Sequence, residues 1–596
     1  MSVSCRERRQ TLILVLGLGV LITLWRLGAT GVVDETPPLF AAAGRAMAET
    51  GDWLTPQVNG LPRYDKPPLV YWLMGLGYSL PGGDFWDPLG SWAARLPSAF
   101  ASIAMMLVLT DTFLRWPQEK DIRPRSTSVI TALAFALSPL VLVWSRTAVS
   151  DALLCGSLGI SLLLQWRRFA DPTCIAWWPA WTVLGLAVLV KGPVSVVISG
   201  LALLLFGALR HDLRTAWTRL RPVQGILVTT LISLPWYGLE LLVEGQAFWD
   251  SFFGYHNIQR FTSVVNDHLQ PWWFFGPVMV VAALPLTPFL ILGLVQVPRQ
   301  RVPPEQSLQQ FAACWLVAVF LLFTVAATKL PSYWLPATPA AALLTGFATT
   351  GRNRLQIWAW IISLGLVVLL AICFWLAPAW VGWINDPEMP TLAVDLLASG
   401  LVRRTALWFS LAAILGLIAL VLREPAVVGL LGIQVPLLLF HITALIPIAE
   451  LADRLRQAPV RQIAAQMRQQ YRKGEPLAMV GVIKPSLHFH TGQIILFEGR
   501  SDRALVNLAD RLANERRRGW VGYSLEGNEA PDTVLIAIDS DTSKQEYWRD
   551  LDPIHLGKYG IYNLWRLDRQ RLEKRADVLK ADGVEADWRQ PRQERF

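Results

Sequence analysis

Charge is scarce in this chain. Of its 596 residues only 17% are Asp, Glu, Lys or Arg, whereas 53% are hydrophobic. Soluble domains carry about a quarter charged residues, so most of the length does not read as a soluble globular protein. Cysteine is scarce too. Cys5, Cys155, Cys174, Cys314 and Cys373 are scattered, with no CxxC pair and none in the polar C-terminal region, which argues against a disulfide framework or a zinc site. The short alternating segments of a transmembrane β-barrel are missing as well. What is present is a series of long apolar blocks, the pattern of a polytopic α-helical membrane protein. The 28 Trp suit belts at the bilayer interfaces. The net charge of +9 is spread over short loops between the blocks. It therefore reads as positive-inside topology, not as a nucleic-acid-binding stripe.

The first block begins after Arg6, Arg8 and Arg9 and runs to about Leu27 without a clear cleavage site, so it reads as an uncleaved helix held inside by its arginines. Further segments lie near 91–114, 128–144, 151–166, 174–190, 193–209, 222–243, 273–296, 308–327, 333–349, 355–376, 404–422 and 426–447, giving about thirteen spanning helices with the first at 11–30. Loops 115–127, 167–173, 210–221, 297–307 and 350–354 are all basic, as cytoplasmic loops should be. Arg403 and Arg404 fall on the opposite side and break the parity. The same parity puts a long polar loop, 34–90, outside with everything after about 448. Residues 1–447 thus form an all-α membrane domain. Residues 448–596 form a small outer α/β domain with three helices (458–473, 501–518 and 543–551), four strands and a frayed, charged end.

Ionisable residues near a bilayer persist where they pair or act. The outer loops hold Asp34 and Glu35, then Arg63, Asp65 and Lys66 in "GLPRYDKPPLVYWLMG". They also hold Arg146, Asp151, Lys191, His256, Arg260, His268, Lys329 and Tyr333. Each has a plain structural reading. Asp34 and Glu35 suit a helix cap, Lys66 a snorkelling side chain, Lys191 a helix C-cap, His256 a satisfied backbone carbonyl and Arg63 a headgroup contact. Taken jointly they say more, because several cations on one face repel unless an anion joins them. Lys and Arg suit phosphate, and a nearby carboxylate suits a general base. The residues alone point to an outward-facing membrane enzyme or transporter of a phosphorylated amphiphile.

The stretch "DETPPLFAAAGRAMAETGDWLTPQVNGLPRYDKPPLVYWL", then "SWAARLPSA", resembles the first outer loop of bacterial lipid-linked-sugar transferases. These are the lipid A aminoarabinose transferases and their relatives in the protein O-mannosyltransferase superfamily. "SRTAVSDALL", "LVKGP", "HNIQRF", "TKLPSYWLPATP" and, more weakly, "IKPSLHFHTGQ" extend the likeness. The resemblance implies a GT-C fold and a glycosyltransferase of the bacterial inner membrane. It would transfer a sugar, with inversion, from a polyprenyl (undecaprenyl) phosphate donor to a lipid A-like or protein acceptor on the periplasmic face. The alternative is a flippase for the lipid-linked sugar.

Matched residue by residue, the resemblance implies Asp34 as the catalytic carboxylate, with Glu35 beside it and Asp151 as a second family carboxylate. Lys66 and Arg260 would hold the donor phosphate, joined by Lys191, Tyr333, Lys329 and Tyr64. Asp65 and His256 would share a divalent metal ion. No nucleotide cofactor and no nucleic acid is implied. Two departures stand out. Thr36-Pro37-Pro38 reads as an insertion of about two residues before the helix that usually follows Asp-Glu. Position 65 is Asp where the aminoarabinose branch commonly has Glu, which shortens any metal ligand by about 1.5 Å. Tyr71 and Trp72 read as anchors at the membrane surface. In the C-terminal region, Asp539-Ser540-Asp541 imitates a nucleotide-sugar metal motif but reads better as a loop capping the next helix.

Overall fold

The structure is a computed structural model that describes residues 3–117, 121, 123–264, 269–350, 353–515, 517 and 532–589. His268 and the span 518–531 lie outside the described residues. Helices dominate up to Gln470, and a five-stranded sheet follows.

Among the described residues six helices are long and apolar enough to cross a membrane: Ser91–Arg115, Pro222–Glu244, Leu308–Val325, Arg354–Trp375, Leu401–Val421 and Ala426–Arg456. Counting the bent pair Phe275–Ala282 and Thr287–Val295 as one span gives seven. The sequence reading of about thirteen counted every apolar block, but several blocks are not single long helices. Pro139 opens a new helix and divides one block into Pro124–Ala136 and Pro139–Trp144, because an interior proline forfeits a hydrogen bond and clashes with the preceding turn. Trp178–Lys191 and Val194–Leu209 are short, separated by Gly192 and Pro193. The block at 273–296 bends by 113° across Leu284-Pro285. The first helix, Cys5–Thr23, is capped by Ser4 and Glu7 in a reciprocal capping box.

The polar loop 34–90 is largely structured. A helix spans Thr36–Thr50, directly after Glu35. Pro37 and Pro38 lie in its first turn, where the missing N–H groups cost nothing, so they start the helix and insert no extra loop. A tight hairpin follows, β1 (Gln57–Val58) against β2 (Leu61–Pro62), and then the helix Leu69–Tyr78. Two buried or half-buried arginines fix the chain that enters this loop. Arg95 donates to the carbonyls of Leu27, Thr30 and Gly31. Arg146 donates to those of Ile22, Thr23 and Trp25, the orphan acceptors at a helix C-terminus. Arg146 is thus a helix-end clamp and not an open cation. Arg404 plays a similar part, donating to the Thr443 carbonyl at 2.9 Å, which accounts for a basic residue that broke the parity.

The C-terminal domain has the strand order β4-β3-β5-β7-β6. β3 (Leu477–Val480) lies parallel between β4 (Ile495–Glu498) and β5 (Thr533–Asp539). β7 (Tyr562–Asp568) runs antiparallel to β5 and to the edge strand β6 (Ile554–Tyr559). β3 and β5 are wholly or almost wholly buried, which is why they read as continuous apolar runs. Two expectations fail here. The segment 543–551 forms only short 3-10 turns, and β6 was not foreseen. The charged end does not fray at 577: a helix spans Arg569–Ala581, and Trp588 is buried with its indole N–H donating to Asp510. The Leu572 and Ala576 face of that helix packs on the sheet and outweighs its charge.

Candidate active site

A cavity of about 820 Å³ opens where the polar loop meets the helix ends. Glu35, Arg63, Tyr64, Asp65, Lys66, Asp151, Lys191, His256, Arg260 and Tyr333 all line it. These residues come from six separate parts of the chain, so the clustering expected from the sequence is real in space. Asp34 and Lys329 are not among the lining residues.

Arg63, Asp65 and Lys66 form a half-buried ion cluster. One Asp65 oxygen accepts from the Arg63 guanidinium at 2.6 Å and the other from the Tyr71 hydroxyl at 2.9 Å. Burial alone would push the Asp65 carboxyl up; the charges of Arg63 and Lys66 outweigh it and hold the group well below the usual carboxylate range. Arg63 is therefore the brace of Asp65, not a headgroup contact. Tyr71 is fully buried and not a surface anchor. Trp72 donates to the Trp53 carbonyl at 2.7 Å, tying the same helix to the loop. Lys66 donates one N–H to the Asp65 carbonyl at 2.8 Å. Burial lowers its ammonium to about 8, with Arg260, Lys191 and Arg63 adding repulsion against the attraction of Asp65. A cation so placed gains strongly from an arriving anion.

The second pair joins two helix ends. Lys191, the last residue of Trp178–Lys191, reaches Asp151, the first of Asp151–Ala170, at 2.7 Å. Each charge also suits its helix terminus. The Lys191 ammonium lies 5.2 Å from the centre of the Tyr333 ring. Tyr333 is set in the 3-10 turn Pro331–Ala337 and packed on Phe323. His256 stands in a π-helix, Trp249–Gln259, that runs into Arg260. Burial, then the Lys66 charge, lowers its imidazole to about 3, so it is neutral at physiological pH. Asn257, which lines the same wall, was not singled out from the sequence. A wide turn of this kind has no clear sequence signature, although π-helices recur at functional sites.

Four assignments change. Asp34 does not line the cavity: its carboxylate accepts from the Ser486 N–H at 2.8 Å and the Ser486 hydroxyl at 2.5 Å, in the C-terminal domain. Glu35 is the member of the Asp-Glu pair that faces the cavity, and among the described residues its carboxylate has no partner. Lys329 is buried and donates to the Ala326 carbonyl at 2.7 Å, which makes it a local brace. Tyr64 gives its hydroxyl proton to Glu244 at 2.7 Å, so that proton is not offered to a phosphate. Asp65 and His256 share the cavity, but both Asp65 oxygens are taken, and the described residues contain no group of three or more metal-ligating side chains. The pair by itself does not make a protein-held metal site. The Asp539 motif is structural. Its carboxylate accepts from the N–H groups of Val482, Asp541 and Thr542 and from the Thr542 hydroxyl. Gly481 has φ +95°, and a Cβ there would collide with that carboxylate.

Lining cations, carboxylates and a proline-framed loop thus gather at the ends of membrane helices. The chain shares its fold with a protein of known structure. It superimposes on the crystal structure of ArnT from Cupriavidus metallidurans bound to undecaprenyl phosphate with a TM-score of 0.73 and 21% identity, over 93% of this chain and 97% of that one. Residues 65–236 match the dolichyl-phosphate-mannose-protein mannosyltransferase model, and residues 470–583 match the C-terminal domain of the cyanobacterial RgtA-type glycosyltransferases. The undecaprenyl phosphate-alpha-4-amino-4-deoxy-L-arabinose arabinosyl transferase of Pseudomonas paraeruginosa is 30% identical over 358 residues, 58% of this chain and 61% of that protein. The protein of the same name from Erwinia tasmaniensis is 28% identical over 372 residues, 58% and 62% respectively. The matched region thus spans about three-fifths of these relatives.

Proposed function

We propose that the protein is an integral-membrane glycosyltransferase. It moves a sugar from undecaprenyl phosphate, or a similar polyprenyl phosphate, to a hydroxyl of a lipid or protein acceptor on the periplasmic face of the inner membrane. The observation that carries this reading is a cavity lined together by Lys66, Lys191, Arg260 and Glu35, whose carboxylate has no partner among the described residues.

In this reaction the bond between the anomeric carbon and the phosphate oxygen breaks as the acceptor oxygen attacks from the opposite face. The acceptor proton goes to Glu35, acting as general base. Negative charge grows on the departing phosphate, and Lys66 and Arg260 hold it most strongly at that point, which lowers the barrier. Lys191, aimed by Asp151, supplies the third cation. His256, neutral, adds polarity without repelling the lysines. The polyprenyl chain lies along the apolar wall formed by Val143, Trp144, Phe261 and Phe323.

The flippase reading is not favoured. Such a site would be expected at the bilayer midplane between broken helices of related halves. Here the polar residues gather at helix ends on one side, against a loop braced by ion pairs and prolines. The test is incubation of the purified full-length protein with labelled undecaprenyl phosphate-4-amino-4-deoxy-L-arabinose and, in separate reactions, lipid A or a Ser/Thr-rich peptide. Free undecaprenyl phosphate together with a labelled acceptor is the expected result. Intact donor crossing a vesicle bilayer without release would establish the flippase instead.

A further inference from the structure

The C-terminal domain meets the membrane domain at the residue beside Glu35. Ser486 lies just past β3, at the start of a short helix that carries the chain towards β4. It is fully buried and gives both its N–H and its hydroxyl to the Asp34 carboxylate, 452 residues away. Gln457, its amide oriented by its partners, donates to the same carboxylate at 2.8 Å and accepts from the Asp34 N–H at 3.2 Å. Asp34 therefore receives three hydrogen bonds at its side chain.

The contact does not stand alone. Lys484, also buried, pairs with Glu388 at 2.6 Å, and Glu388 is held in turn by Arg456. Asn59, between β1 and β2, exchanges two bonds with the backbone of Ile495, and its N–H donates to His488. Arg45, on the helix that begins after Glu35, donates to the Phe489 carbonyl at 2.8 Å. The segment Lys484–Ile495 thus grips the catalytic loop at Asp34, Arg45 and Asn59. Charge-assisted bonds such as those at Asp34 are stronger than neutral ones and fix geometry.

We infer that Ser486 is a positioning residue for the transfer site: by holding the Asp34 carboxylate it fixes the turn that presents Glu35 to the cavity. Asp34 is then an anchor and Glu35 the acting group. This rests on the cavity being the transferase site, so the experiment has one arm that needs no turnover.

In full-length protein, Ser486→Ala, Asp34→Asn and the double variant are compared with Leu508→Val, a substitution in the sheet–helix core remote from the loop. With labelled undecaprenyl phosphate-4-amino-4-deoxy-L-arabinose as donor, Ser486→Ala should lower kcat about tenfold with little change in donor KM. The double variant should be no worse than the poorer single one, and Leu508→Val should lower Tm without lowering kcat. In parallel, hydrogen exchange of the amides in 35–50 should quicken in Ser486→Ala and not in Leu508→Val. Unchanged kcat in Ser486→Ala, additive losses in the double variant, or a kcat loss matched by Leu508→Val would overturn the inference. If wild-type protein shows no transfer, the functional reading fails; unchanged exchange at 35–50 then overturns the positioning role by itself, and quickened exchange upholds it.

Discussion

Lys191 and Asp151 close a 2.7 Å ion pair between the end of one helix and the start of another, and both line the cavity. The pair is mostly shielded from solvent, so each partner depends on the other. Asp151→Ala should destabilise the protein by about 3 kcal/mol, because it strands a shielded ammonium. Adding Lys191→Met should recover much of that stability, since an apolar replacement leaves no charge unpaired. It should not recover turnover, because the third cation is gone. Thermal unfolding and transfer rates on the two variants check both halves.

Glu35 and Asp34 separate into different roles. Glu35→Gln should reduce kcat by about 10²–10⁴-fold, the usual contribution of a general base, with donor binding retained. Asp34→Asn keeps an oxygen for the Ser486 N–H but loses an acceptor for the hydroxyl, so its loss should be smaller. Full activity in Glu35→Gln would remove it from the role of base.

Lys66 gives the site a basic limit. Its ammonium titrates at about 8, lowered by burial. It is charged below that pH and loses its charge as pH rises through it, so donor affinity should weaken above pH 8. A bound phosphate stabilises the charged form and moves the limit upward. Lys66→Arg should flatten this limb, since guanidinium stays charged throughout. Lys66→Met should raise the barrier by about 2–4 kcal/mol, as for a lost oxyanion donor. Donor KM measured from pH 6 to 10 is the check.

Arg63 braces Asp65. Arg63→Ala leaves a buried carboxylate with a hydroxyl, a more distant ammonium and no guanidinium, and should cost about 3–5 kcal/mol of stability. Tyr71→Phe removes one bond to that charged group and should cost about 1.5–3 kcal/mol. Denaturation midpoints of the two variants should rank in that order.

Much of this site was legible in the chain. Lys66, Arg260, Asp151, Lys191, His256 and Tyr333 stand at loops and helix ends where charge is expensive beside a bilayer, and they line one cavity. What was not legible depends on direction. Asp34 and Glu35 are neighbours in sequence, yet one carboxylate meets Ser486 and the other faces the cavity. Arg63 and Tyr71 looked like surface residues because nothing local says that Asp65 lies between them. Ser486 carries no signal by itself; a serine after a strand is common.

The sequence determined the membrane class, the succession of apolar helices, the α/β end and the set of charged groups from which a phosphate site is made. Hydropathy and charge are properties of a residue and its near neighbours, so they can be read in one dimension. Only the tertiary structure decided which carboxylate is open, which cations are braces and where the C-terminal domain takes hold. Those outcomes turn on contacts such as Asp34 with Ser486, made hundreds of residues apart, and on hydrogen-bond directions that are set only when the helices and the sheet have packed.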